Sequence, residues 1–297
     1  MISVCIPVYN YDVVDLVRKI QYQISILGKE AEVVILDDGS NEYYKRQNSQ
    51  LAVLPFVKYF EQPNHGRSIT RNRLVEKAMH DQLVFLDCDC DVPDQFLQYY
   101  LSVLPFSGVV IGGIAYEPKP KDKQLHLRWK VGVIREVKTL SRRLNNPYAN
   151  FLSSNFMVSK SVFSLLAFDV KLKGYGHEDT LLGVSLKQKK IALLHIENPV
   201  YHLGLDPVDL YLDKLKQSID NLILIKNAGV AIEDFKLLRY YHLVSKLHIE
   251  PIVLLFFKFT LPIMERYLLN FGTSLFILDL YKLGITCMKM NQNKSVK

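Results

Sequence analysis

Asp87, Cys88 and Asp89 follow directly on residues 83–86 (LVFL), four residues fit for a fully buried strand. An apolar core element therefore ends by presenting carboxylates at its carboxyl edge, where open α/β sheets place their ligands. Carboxylate oxygens are hard donors suited to Mg2+ or Mn2+, ions that commonly bridge a few protein oxygens to a diphosphate. Asp-x-Asp at a strand end thus reads as a seat for a metal-bound diphosphate. The alternative is a solvated acidic turn before a helix, with Asp94 as its cap. Two further acidic turns accompany it: Asp37-Asp38-Gly39-Ser40 after the apolar run 31–36, and Glu178-Asp179 after Gly174-Tyr175-Gly176-His177.

The elements needed to hold these acids can be read from the spacing of apolar residues. Residues 2–8 form a short apolar run that leads into Tyr9-Asn10, the pattern of a buried parallel strand ending in a loop. Val13, Val17, Ile20, Ile24 and Leu27 put one stripe on a helix that ends before Gly28. Strands are expected at 31–36, 57–60 and 83–86, with a turn at Asn64-His65-Gly66-Arg67 opening a helix through Ile69, Arg71, Leu74 and Ala78. Strand and helix alternate over the first hundred residues, so a mostly parallel sheet covered by helices on both faces is expected. Beyond it the pattern predicts a helix over 94–104, one strand over 108–116, and short strands at 155–158, 191–195 and 200–202, with a helix over 180–187. No Gly-x-Gly-x-x-Gly follows the first strand and no Gly-x-x-x-x-Gly-Lys-Ser/Thr occurs, which disfavours dinucleotide binding and P-loop chemistry.

At 297 residues, 49% of them hydrophobic, the chain can bury a sizeable core. The net charge of +7 is uneven: residues 119–143 hold nine Lys or Arg against Asp122 and Glu136. Such a stripe suits nucleic acid, an anionic membrane or a phosphorylated substrate, or is a solvated face of an amphipathic helix. Cys5, Cys88, Cys90 and Cys287 read as free thiols, and a zinc site lacks a second ligand pair. Met1 leads almost directly into the first strand with no basic start or apolar leader, so a cytoplasmic protein is expected. From about Asp206 strand alternation gives way to long helical patterns, which divides the chain into residues 1–205 and a helical region 206–297. The apolar stretches 251–264 and 271–286 are too short or too charged to span a bilayer, and helices lying on an anionic membrane surface or packed on protein are the expectations there.

Taken together and in order, ISVCIPVYN, VVILDDGS, NHGRSITRNRLVEKA, LVFLDCDCDVP and GYGHEDTLLGVSL resemble family 2 glycosyltransferases of the GT-A fold. The resemblance covers about residues 1–205. It implies a Rossmann-like α/β domain that transfers a sugar from a nucleotide diphosphate sugar to an acceptor hydroxyl, usually with inversion at the anomeric carbon and a bound Mn2+ or Mg2+. By that similarity Pro7, Val8, Tyr9 and Asn10 line the nucleoside pocket, and Asp38 matches the acid that reads uracil, which favours a UDP-sugar. Gly66 lets the backbone approach the nucleotide, Arg71 stands on its diphosphate or base side, and Asp87 and Cys88 border the ribose or donor sugar. Asp89 is the expected metal ligand, completed by His202 from a distant loop. Asp179 is the expected base, taking the acceptor hydroxyl proton as the anomeric carbon gains oxocarbenium character, with Glu178 orienting acceptor or loop. The implied partners are a nucleotide sugar and a glycan or lipid-linked glycan acceptor in surface polysaccharide assembly, with no nucleic acid, while peripheral contact with the inner face of the cell membrane is the expectation from the basic and apolar tail. A sugar nucleotidyltransferase, or a non-catalytic scaffold on a membrane surface, are the competing readings.

Overall fold

The computed structural model describes residues 1–28, 31–172, 174–229 and 235–295. In chain order its first elements are Ile2–Val8 (β1), Val14–Leu27 (α1), Ala31–Asp38 (β2), Glu42–Ser49 (α2), Val57–Gln62 (β3), Arg67–Lys77 (α3) and Gln82–Leu86 (β4). Then come Cys90–Asp91 (β5), Phe96–Ser102 (α4), Val109–Ile111 (β6), Ile114–Ala115 (β7), His126–Val131 (α5) and Leu140–Asn145 (α6). Asn155–Ser159 (β8), Lys160–Ser164 (α7), Glu178–Gln188 (α8), Leu193–His195 (β9) and Val200–His202 (β10) follow. The chain closes with Val208–Asn227 (α9), Lys236–Lys246 (α10), Glu250–Leu269 (α11) and Leu275–Ser295 (α12).

A seven-stranded sheet runs β3-β2-β1-β4-β8-β6-β9. The strands β3, β2, β1 and β4 are parallel neighbours, as are β6 and β9, while β8 lies antiparallel to both β4 and β6. The pleat sorts each central strand onto two faces. Val4, Ile6, Val33, Ile35, Val84 and Leu86 join one buried cluster with α1 and α4, whereas Cys5, Val34, Leu36, Leu83 and Phe85 join another with α3, α7 and α8. Both faces are covered, which is why these strands are apolar at successive positions. The mostly parallel α/β sheet expected from the sequence is therefore present. Its β1 has β2 on one side and β4 on the other, so the strand order reverses there and a crevice opens beyond the carboxyl ends of these three strands.

The expected strand over 108–116 is instead two. Gly113 has a left-handed φ of 96°, and a Cβ on Gly112 would lie 2.3 Å from the Asn155 side-chain nitrogen. The chain turns at this glycine pair, sending β6 into the large sheet and β7 into a three-stranded sheet ordered β5-β10-β7. The basic run is not one amphipathic helix either. Asp122 and Thr139 each cap a new short element through a side-chain oxygen, and residues 132–136 form a π turn between α5 and α6.

The residues fall into two compact units. The first comprises Met1–Glu117, Glu136–Lys171 and Leu181–Gly204 and contains both sheets. The second comprises Pro118–Arg135, Leu172–Thr180 and Leu205–Lys297 and is built on α9 to α12. Within it, α9 buries Leu212, Leu215, Ile219 and Leu222, and Lys216 reaches Glu265 of α11 at 2.8 Å.

Candidate active site

The carboxyl ends of β1 and β2 are tied to each other before any ligand arrives. Asn10, at φ 48°, donates its backbone N–H to Ser40 Oγ at 2.8 Å, and its side-chain oxygen accepts from Asn41 N–H at 2.8 Å. Tyr9 is left 53% exposed beside this lock, its ring available as a flat face, while Val8 is turned into the core and contributes only backbone. Asp37 is fully buried and accepts from Ser40 N–H at 2.7 Å and Tyr59 Oη at 3.3 Å. Asp38 gathers the loop before α3: Oδ1 accepts from Gln62 Nε2 at 2.7 Å and His65 N–H at 2.9 Å, and Oδ2 from Gly66 N–H at 2.8 Å. Three chain donors on a carboxylate leave capacity for one more, on Oδ2. Gly66 has φ 89° where α3 begins, a conformation that favours glycine.

Arg71 is not a surface cation. It is 2% exposed, its guanidinium lies over Phe168 at 5.2 Å, and it donates to Asp87 Oδ1 at 2.6 Å. Burial works to raise the Asp87 pKa, but Arg71, with Arg67 behind it, outweighs burial and holds the carboxyl below its ordinary value. Asp89 goes the other way. Burial, reinforced by the nearby Asp87 charge, raises it even though His202 and Arg67 pull it down. Two acids separated by one residue are thus pushed apart, and Asp89 is the one whose ionised form lacks a counter-charge sufficient to offset its burial. Burial also raises the Cys88 and Cys90 thiols, so they stand as neutral groups among these acids.

Long-range pairing brings His202 to Asp89. Short strand β5 pairs antiparallel with β10, setting His202 opposite Cys90, and Leu203 N–H donates to the Asp89 carbonyl at 2.8 Å. His202 Nε2 lies 3.6 Å from Asp89 Oδ2, and the imidazole stacks on Tyr116 with centroids 5.4 Å apart. The buried Nδ1 of His202 has no hydrogen-bond partner among the described residues. Gly204 is packed so closely that a Cβ there would sit 2.1 Å from Asp89 Oδ2. Among the described residues no group of three or more His, Cys, Asp or Glu is gathered to hold a metal ion. The Asp89–His202 pair fits an ion that draws its other ligands from a diphosphate and water, as Mg2+ usually does.

Glu178 and Asp179 occupy the first turn of α8 and belong to the second unit, whereas Asp38, Arg71, Asp87, Asp89 and His202 belong to the first. The glycine turn before them is fixed to α9. Asn221 Nδ2 donates to the carbonyls of Tyr175 and Gly176 at 3.3 and 3.1 Å, and a Cβ on Gly176 would lie 2.5 Å from the Ser218 Cβ. A helix N-terminus favours carboxylate charge, so the acidic pair is electrostatically suited to its place.

Next to this pair, burial, with the Lys282 charge adding to it, holds the His177 imidazole down to about 4. The unfolded chain binds that proton near 6.5, so the contribution is fully present above about pH 7 and is lost as pH falls from 6.5 towards 4. It amounts to no more than about 3 to 4 kcal/mol. His177→Asn tolerates the φ of 72° there and removes the titration. Calorimetry across this range should give a shallower fall in melting temperature for the variant, and parallel curves would exclude His177 as the source.

Arg67, Tyr116 and Gly204 contribute to this site without having been singled out in the sequence. Arg67 and Arg71 are four apart on α3 and so share a helical face, which is the one sequence signal for Arg67. Tyr116 and Gly204 act through β7 and β10, whose pairing is non-local. The basic run, in turn, is broken up: Arg128 and Arg143 are buried, and Arg143 donates to the Ile196 carbonyl at 2.9 Å and pairs with Glu197 at 3.3 Å.

Residues 3–166 match the sequence model of the family described as Glycosyl transferase family 2. No curated protein sequence matches the chain. Solved structures of similar fold include the mannosyltransferase PcManGT from Pyrobaculum calidifontis in complex with GDP-Man and Mn2+, at TM-score 0.60 and 13% identity over 97% of this chain and 86% of that one. Glucosyl-3-phosphoglycerate synthase from Mycobacterium tuberculosis with Mg2+ and UDP aligns at TM-score 0.53 and 18% identity, covering 78% and 80% of the two chains. S. aureus TarS 1-349 with UDP-GlcNAc aligns at TM-score 0.52 and 17% identity, covering 75% and 66%. Against a longer TarS chain the match spans only 39% of that protein. These likenesses establish the GT-A fold.

Proposed function

The chain belongs to glycosyl transferase family 2, and on that premise we propose that it moves a sugar from a nucleotide diphosphate sugar, UDP-linked by preference, to an acceptor hydroxyl with inversion at the anomeric carbon. The observation that carries this reading is the approach of His202 Nε2 to Asp89 Oδ2 at 3.6 Å, held by β5 and β10 at the carboxyl edge of the sheet. A buried acid beside a histidine, raised by burial at a strand end, is the kind of group that functional sites gather, which favours an enzyme over an inactive scaffold.

In this reading the nucleoside lies on the β1 and β2 ends. Tyr9 offers its face to the base, and Asp38 accepts the uracil N3–H on Oδ2, the oxygen with one chain donor. Arg71 keeps Asp87 ionised, which aims a charged acceptor at the ribose or donor-sugar hydroxyls. Asp89 and His202 would hold Mn2+ or Mg2+, which when bound neutralises charge building on the departing diphosphate. Asp179 takes the acceptor hydroxyl proton and Glu178 orients acceptor or loop, while the rest of the rate comes from positioning. The acceptor is a glycan, lipid-linked or phosphorylated, in surface polysaccharide assembly; exposed Lys119, Lys121 and Lys123 support an anionic one.

Ligand linkage gives the direct test. Mn2+ together with UDP should raise the melting temperature, by the equivalent of about 2.7 kcal/mol at a hundredfold excess over Kd, and UDP should outperform GDP and CDP. A screen of nucleotide sugars for UDP release then identifies the donor. No shift with any metal and nucleotide pair would refute the proposal.

A further inference from the structure

Helices α10 and α11 of the second unit carry an exposed apolar face. On α11 the residues turned to solvent include Ile252, Leu255, Phe256, Phe259, Ile263 and Tyr267, at steps of three, one, three, four and four. Those steps place all six on one side of a helix of about 30 Å. Phe259 is 66% exposed and Ile263 69%, values that a helix packed on its own fold does not leave to large side chains in series. Tyr240, Leu243, Leu247 and Ile249 extend the apolar surface along α10 and the turn after it.

Charge on this surface has one sign. Between residues 236 and 276 the exposed ionic side chains are Lys236, Arg239, Lys246, Lys258 and Arg266. The two acids of the segment are engaged inward, Glu250 accepting from Tyr241 Oη at 3.3 Å and Glu265 pairing with Lys216 at 2.8 Å. Among the described residues no helix is long and apolar enough to cross a membrane. A broad apolar stripe with Lys258 beside it and Arg266 at its carboxyl end, and with its acids withdrawn, is the pattern of a helix that lies in the interface of an anionic bilayer.

We propose that α10 and α11 bind this protein to an anionic lipid surface, with Phe256, Phe259 and Ile263 entering the acyl boundary and Lys246, Lys258 and Arg266 meeting lipid phosphates. The full chain should co-sediment with phosphatidylcholine–phosphatidylglycerol vesicles at about two to one, far less with pure phosphatidylcholine, and less again with anionic vesicles in high salt. Phe259→Glu with Ile263→Glu should lower the partition coefficient at least about a hundredfold. Lys258→Glu with Arg266→Glu should lower it about tenfold or more, and abolish the preference for anionic lipid. Both pairs are exposed, so unchanged melting temperatures are expected to accompany these losses. Absence of wild-type binding to anionic vesicles, or equal binding to neutral ones, overturns the proposal without recourse to any variant. A dimer in sedimentation velocity that Phe259→Glu with Ile263→Glu dissociates, without vesicle binding, would assign the face to a second copy of this chain.

Discussion

Asp89→Asn is expected to abolish the stabilisation conferred by Mn2+ with UDP and to lower transfer about a thousandfold. The magnitude corresponds to losing several kcal/mol of charge stabilisation on the departing diphosphate. The substitution is nearly isosteric, so the fold should survive. Indeed removing a buried charge that burial and Asp87 both disfavour should raise rather than lower the apo melting temperature. Gly204→Ala separates charge from position. Its Cβ would fall 2.1 Å from Asp89 Oδ2, so the carboxylate must move while remaining ionisable, and Mn2+ affinity should drop about tenfold to a hundredfold. Isothermal titration with Mn2+ and UDP reads both variants. Wild-type affinity in Asp89→Asn would remove Asp89 from the metal site, and with it the central assignment.

The two variants also mark where sequence reading reaches and where it stops. Strands β1, β2 and β4 were legible because a doubly covered parallel strand is apolar at most successive positions, a local property of ISVCIPV, VVIL and LVFL. The acids that end β2 and follow β4 were legible for the same reason, being the first polar residues beyond each apolar run. The pairing of β5 with β10 was not, since two residues of Cys90–Asp91 carry no periodicity and the bond that seals it joins Leu203 to Asp89. His202 was therefore reached through resemblance rather than through its own surroundings. Arg71 is expected by resemblance on the diphosphate or base side of the nucleotide, and nothing in its own helix shows that Phe168 and Asp87 enclose it. Arg143 likewise belongs to a run of cations in the sequence and to the interior in the fold, where the carbonyls of Ile111 and Ile196 receive it. The break at Gly112-Gly113 was missed because apolar residues continue on both sides of it, and only the demand of Asn155 for the Gly113 carbonyl, at 2.9 Å, shows why the strand must turn.

Asp179→Asn should leave the affinity for UDP and Mn2+ near that of the parent chain while turnover falls by about a hundredfold to ten-thousandfold, the range in which positioned general bases act. The separation of the two readouts follows from the roles: nucleotide and metal are proposed to rest on other residues, whereas Asp179, in the first turn of α8, is proposed to act only on the acceptor proton. The turn that carries it is held by Asn221 donating to two backbone carbonyls and by close packing of Gly176 on Ser218. An amide in its place keeps the shape and cannot accept the acceptor proton. Glu178→Gln, which changes an orienting group in the same turn, should raise the acceptor KM more than it lowers kcat, because what it removes is binding rather than proton transfer. Titration of UDP beside a turnover assay with the preferred donor decides the matter. Persistent transfer by Asp179→Asn would pass the base role to another residue, and loss of UDP affinity in step with activity would show that the acid serves the fold rather than the chemistry.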